Sequence, residues 1–174
     1  MEIQIGDCKI RSFNSKDVAA LVKYANNFNV WINLRDGFPH PYTKKDARAW
    51  IKFTGGGHES TNFAIASAEE VIGGIGFSLQ PDVHRVSAEI GYWLGEPFWG
   101  KGIATRALKA MTDYAFATYD LTRIYAGIFE WNDASGRVLE KAGYKLEARL
   151  RKSIIKNGKV IDQLLYAVLR DELK

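Results

Sequence analysis

A chain of 174 residues, 47% hydrophobic and 25% charged, has the length of one domain of ordinary size, read here as 1–174, and the composition of a globular rather than a disordered protein. No uninterrupted apolar run approaches the ~18 residues of a membrane span, so no membrane partner is expected, and the single cysteine, Cys8, excludes an internal disulfide. The net charge of +4 attracts anions mildly, but its densest basic group, Arg149, Arg151, Lys152, Lys156 and Lys159, reads as a solvated strand face, and no direct nucleic-acid binding is expected.

Residues 3–13 alternate in strand fashion and lack the basic region and apolar core of a signal peptide, which points to the cytoplasm. Cys8 falls in this strand, where packing is its expected role. Asn14, Ser15 and Asp17 then signal a helix start, followed by the apolar period Val18, Leu21, Val22 and Ala25 and an end at Asn26, Asn27 and Asn29. Residues 31–42, WINLRDGFPHPY, are too aromatic and too proline-broken for a plain linker. Trp31, Phe38 and Tyr42 are candidates for the wall of a substrate pocket, against the alternative that the loop packs onto the core. A helix is expected from Thr43 through Trp50 and Phe53, and Gly55, Gly56, Gly57 and His58 mark a flexible connection. Residues 62–67 and 71–80 read as an antiparallel hairpin, with Gly73, Gly74 and Gly76 suggesting a twist or a close backbone approach.

Residues 88–119 carry three signals in succession: an apolar and aromatic strand over 88–94, a turn punctuated by Gly95, Pro97, Gly100 and Gly102, and a helix with Ala104, Leu108, Met111 and Ala115 on one face. Gly100, Lys101 and Gly102 leave backbone N–H groups uncovered at the positive end of that helix, where an anion such as a pyrophosphate is favoured. Gly95 with Gly100 and Lys101 has the spacing of a nucleotide P-loop, but the next residue is Gly102 rather than the Ser or Thr that holds magnesium, and Thr105 comes one turn too late. A strand over 123–129, a helix over 132–142 and two long strands joined at Asn157-Gly158 complete the chain. No metal-ligand spacing, repeat or low-complexity tract is present.

The turn also resembles the acetyl-CoA loop of the GNAT superfamily of N-acetyltransferases, whose pattern is Arg or Gln, two residues, Gly, one residue, then Gly or Ala. Gly102 and Ala104 match the last two positions, and Trp99 stands at the Arg/Gln position. E-I-G-Y-W followed by W-G-K-G-x-A-T resembles the RimJ/RimL-like branch, as does P-x-P-Y-T-x-x-D-A at residues 39–47 with Trp50 after it. The element order agrees, so the resemblance covers nearly the whole chain. It implies an α+β fold, a mixed and mostly antiparallel sheet of about seven strands flanked by about four helices.

The resemblance further implies acetyl-CoA as co-substrate, no metal, and acetyl transfer to a primary amine by direct attack on the thioester. The acceptor stays open between a protein N-terminal α-amine and a small molecule, and homodimerisation is open too. In such enzymes the strand matching residues 88–94 bulges and splays from the one matching 123–129, so Tyr92, Trp93 and Leu94 would meet pantetheine through their backbone. Trp99, Gly100, Lys101, Gly102, Ile103, Ala104 and Thr105 would surround the pyrophosphate. Asn132 would contact pantetheine and Ser135 would lie near the CoA sulfur; with Leu139 where many relatives have a tyrosine, Ser135 or water would protonate the departing thiolate, and Asn132 and Ser135 are equally ordinary helix-capping residues. Glu89 and Glu130 are the candidate bases, acting through water. Glu89 is favoured, against the alternative of a strand-end carboxylate paired with an arginine; the alternative for Glu130 is that it simply leads into the next helix. The competing function is a non-catalytic acyl-CoA-binding or ribosome-associated module.

Overall fold

The computed structural model describes residues 1–55 and 61–173. Within them the expected first strand is two strands. β1 (Glu2–Ile5) and β2 (Cys8–Arg11) fold back on each other with Ile5 opposite Cys8. The turn is Gly6-Asp7, with Gly6 at φ 77°, and the apolar alternation slips phase across it, from Ile3 and Ile5 to Cys8 and Ile10. After a turn capped by Asn14 comes α1 (Val18–Ala25), and then a one-turn helix, α2 (Phe28–Trp31), whose Asn27 side chain accepts from the Asn29 and Val30 N–H groups. The loop expected from Trp31 therefore begins on a helix. α3 (Lys44–Thr54) starts at a Thr43–Asp46 capping box and ends at Gly55. The connection expected from Gly56 through Gly57 to His58 lies outside the described residues.

β3 (Asn62–Ala66), β4 (Val71–Leu79) and β5 (Ser87–Leu94) form an antiparallel meander, followed by α4 (Ile103–Thr118), β6 (Arg123–Phe129), α5 (Asp133–Lys141), β7 (Lys145–Lys156) and β8 (Lys159–Leu169). Among the described residues the strands make one eight-stranded sheet in the order β1-β2-β3-β4-β5-β6-β8-β7, antiparallel throughout except where β5 meets β6. The architecture is α+β, with one strand and one short helix more than the sequence led us to expect. Asn157 and Gly158, both at positive φ, close the β7–β8 hairpin as the Asn-Gly pair predicts.

Strand alternation divides the core between the two faces. Phe63 and Ile65 of β3 pack with Leu108 and Met111 of α4, whereas Ala64 and Ala66 pack with Leu21 of α1 and Ala47 of α3. Ala107, Leu108, Met111 and Ala115 of α4 are fully buried.

The sheet opens in one place. β5 pairs with β4 in an unbroken register from Gly73 opposite Leu94 to Leu79 opposite Ala88, but with β6 only over Ser87–Arg123, Ala88–Ile124 and Glu89–Tyr125. β6 pairs along its whole length with β8. Beyond Glu89 and Tyr125 the two central strands therefore follow different neighbours and diverge. The bulge expected in β5 is absent from its pairing with β4. Glycines in β4 keep that pairing close: a Cβ on Gly73 would stand 2.4 Å from the Trp93 carbonyl oxygen, and one on Gly74 2.8 Å from Trp93 Nε1.

Candidate active site

The turn before α4 is built from backbone. Gly100 and Gly102 have φ 74° and 72°, a region that costs other residues about 1–2 kcal/mol, and a Cβ on Gly100 would meet only open space. Gly102 is the N-cap of the 16-residue α4, and no side chain caps that end. The N–H groups of Ile103, Ala104 and Thr105 thus lack a side-chain cap at the positive end of a long helix, an arrangement that fits a pyrophosphate. Trp99, 44% exposed, donates its indole N–H to the Leu94 carbonyl at 2.7 Å, tying the turn to the end of β5. Arg106 braces it from the other side, with Nε to the Ile5 carbonyl at 3.0 Å and Nη1 to that of Lys101 at 3.3 Å.

Tyr92 and Glu89, three residues apart on β5, lie on opposite faces of the sheet at the opening. On the face covered by α4 and α5, Tyr92 Oη stands 2.7 Å from Ser135 Oγ. Burial pushes the Tyr92 phenol up to about 12 against the opposing effect of the Ser135 hydrogen bond, so it stays protonated at neutral pH. Asn132 accepts the Ser135 N–H at 3.2 Å and so caps α5, while Leu139 is buried in the core. A phenol does stand beside Ser135, but it comes from β5 rather than α5. Tyr92 entered the sequence reading only through its backbone, because no periodicity reports which face of an opened strand meets a helix 43 residues later.

On the other face Glu89 accepts a hydrogen bond from Arg35 through Oε1. The arginine partner weighed for Glu89 is thus present, supplied by the 31–42 loop, and nothing local in the sequence singles it out. Glu130, by contrast, is held by Arg149 Nη2 at 2.6 Å and accepts the Asp162 N–H at 3.2 Å, contacts that tie the end of β6 to β8 and β7.

The aromatic loop candidates divide. Tyr42 is 5% exposed in the core beside Phe38, which stands edge-on to Trp93. Burial raises the Tyr42 phenol to about 12, with the Asp46 charge adding to the effect. Trp31 stacks on His40 and carries the Lys156 ammonium 3.7 Å above its ring. Lys156, 1% exposed, also pairs with Asp36 at 2.7 Å, and Trp131 donates to Asn33 at 3.2 Å, so the loop is fastened to the β7–β8 hairpin and to the segment after β6. Among the described residues no cluster of His, Cys, Asp and Glu could hold a metal, and no helix is long and apolar enough to cross a membrane.

Residues 8–145 match the family model described as "Acetyltransferase (GNAT) domain". The uncharacterized N-acetyltransferase YnaD of Bacillus subtilis is 31% identical over 94% of both chains. The ribosomal-protein-serine acetyltransferase of Escherichia coli is 33% identical over 63% of this chain and 60% of its own length. Two further curated relatives, 35% and 36% identical, are spanned over only 60% and 57% of their lengths. Among solved structures, Mycobacterium smegmatis RimJ in complex with CoA-disulfide superposes with a TM-score of 0.85 at 25% identity, covering 97% of this chain and 85% of that one. The opened sheet, the uncapped glycine turn and these matches lead to one conclusion: the chain belongs to the GNAT acetyltransferase family.

Proposed function

We propose that the protein transfers the acetyl group of acetyl-CoA to a primary amine, by preference an α-amine at a polypeptide N-terminus. One observation carries this reading: the opening between β5 and β6 connects the Tyr92–Ser135 hydroxyl pair on the helix face with Glu89 on the loop face. Acetyl-CoA would bind with its pyrophosphate on the 100–105 turn and its pantetheine along Tyr92, Trp93 and Leu94 beside Asn132. The amine enters from the loop face, where Trp31 and Phe38 form part of the surround.

Three proton and charge movements follow. Arg35 engages only Oε1 of Glu89, which leaves Oε2 to take a proton from the amine through a water. As nitrogen attacks the thioester carbonyl, charge on its oxygen is met by backbone donors of β5 that β6 does not engage. When the carbon–sulfur bond breaks, Ser135 donates its proton to the thiolate while the Tyr92 hydroxyl, which stays protonated, hydrogen-bonds the serine oxygen; the proton taken by Glu89 passes to solvent, which reprotonates Ser135.

The acceptor class rests on protonation and on the family branch. An α-amine has a pKa of ~8 and a lysine side chain ~10.4, so about a tenth of the former but only roughly one part in 2,500 of the latter is neutral at pH 7. A carboxylate acting through water suits the amine that loses its proton more readily. Peptides bearing a single free amine, either α or ε, are to be compared by kcat/KM for thiol release across pH 6.5 to about 9. The α-amine peptide is expected to lead throughout; a lead for the ε-amine peptide contradicts the assignment, and CoA binding without turnover of any amine favours the non-catalytic module.

A further inference from the structure

Gln163 lies on β8 opposite Phe129 of β6. Counting along β6 from Phe129 through Gly127 to Tyr125, which is opposite Glu89, puts Gln163 and Glu89 on the same face of the sheet. The glutamine does not point straight out from its own position. Its amide lies diagonally over Gly127: a Cβ there would stand 2.2 Å from Nε2 and 3.0 Å from Cδ. The absence of a side chain at Gly127 is what lets the amide rest against β6, two residues or about 7 Å of strand from the level of Glu89.

The amide has no hydrogen-bond partner among the described residues. It lines a cavity of about 330 Å³ between the 31–42 loop and the β7–β8 hairpin, together with Arg35, Asp36, Phe129 and Lys156. The two cations in that lining are already engaged, Arg35 with Glu89 and Lys156 with Asp36; the Ser153 hydroxyl donates to the Leu150 carbonyl, and Phe129, Ile154 and Ile155 are apolar. The Gln163 amide is therefore an unengaged donor and acceptor in a lining that reaches Glu89 through Arg35.

Resting on the acetyl-transfer reading above, we propose that Gln163 is a specificity-determining residue that binds the peptide group next to the reacting amine. A side-chain amide carries both N–H donors and a carbonyl acceptor, so it can bond whichever group, C=O or N–H, of the peptide unit next to the amine faces it. The acceptor class this selects is an amine with an amide adjacent to it, an N-terminal peptide or an amino-acid amide. A polyamine offers no such group, and in a lysine side chain the amide lies far from the amine.

The test compares an N-terminal dipeptide amide with 2-methoxyethylamine, which lacks the amide, in thiol-release assays on the wild type, Gln163→Met and Gly127→Ala. Met keeps the length and removes both hydrogen-bonding atoms; the Gly127 methyl displaces the amide without touching its chemistry. Both variants are expected to lose about tenfold in kcat/KM for the peptide, mostly through KM, and less than about twofold for methoxyethylamine, with the KM for acetyl-CoA unchanged. Equal losses on both amines, or no loss on the peptide, overturn the assignment. A wild type that binds CoA but turns over neither amine contradicts the acetyl-transfer reading itself, and this assignment with it.

Discussion

In the proposed mechanism Tyr92 and Ser135 divide one task. Ser135 would protonate the departing sulfur, while the buried phenol, held at about 12, stays protonated in the working range and would steady the serine oxygen by its hydrogen bond. Tyr92→Phe should lower kcat roughly tenfold and leave KM for acetyl-CoA nearly unchanged, and Ser135→Ala should lower kcat by roughly a hundredfold. Steady-state kinetics checks both; equal loss of CoA affinity in Tyr92→Phe would make the pair a packing contact. Neither variant should move the alkaline limb of the pH–rate profile below pH 10, since in the wild type that proton is still in place there.

The glycine turn at the head of α4 depends on backbone conformation rather than on side chains. Gly102→Ala puts a methyl at φ 72° and 3.2 Å from Arg106 Nη1, so it should cost about 1–2 kcal/mol of stability as well as weaken CoA binding. Calorimetric CoA titration and a urea midpoint measure the two losses. A stable variant with unchanged affinity would remove the turn from the site.

This element was legible in the sequence because its signals are local: two glycines, a helix period and the flanking aromatic residues all fall within residues 88–119. The Asn157-Gly158 hairpin was legible for the same reason. The β1–β2 turn is legible too, in the phase slip from Ile3 and Ile5 to Cys8 and Ile10 across Gly6-Asp7, but reading residues 3–13 as one alternating strand passes over it. Arg35 on Glu89, Tyr92 on Ser135 and Lys156 on Asp36 join positions 54, 43 and 120 residues apart, and no period or spacing encodes such meetings. The loop's aromatic content was visible, but burial of Tyr42 and the packing of Trp31 between His40 and Lys156 depend on which face of the sheet the loop covers.

At the scale of the whole molecule, buried phenols make the fold sensitive to alkali. Tyr42 and Tyr92 are raised to about 12 by burial, and Tyr144 is raised further, again chiefly by burial, its hydrogen bond with Thr112 opposing the shift. In the unfolded chain each titrates near ~10. Below that pH both states hold the proton and the stability is fully present; between about 10 and about 12 the unfolded chain releases protons that the folded chain keeps. Stability therefore falls as pH rises, by ~1.4 kcal/mol per pH unit for each such tyrosine. Urea midpoints at pH 9, about 10 and about 11 should decline, and replacing Tyr42 by Phe should flatten the decline. A constant midpoint would contradict the burial argument.

The opening between β5 and β6 is the feature on which the functional account stands, because the proposed proton donor and the proposed base lie on the two faces it joins. The most direct test is a paired measurement on Glu89→Gln: the rate of thiol release from acetyl-CoA with an N-terminal peptide, and the affinity for CoA. Glutamine keeps a carbonyl oxygen for Arg35 but cannot take a proton. The account predicts a fall in kcat of roughly a hundredfold or more with CoA affinity held within about twofold of the wild type. Unchanged turnover would contradict it.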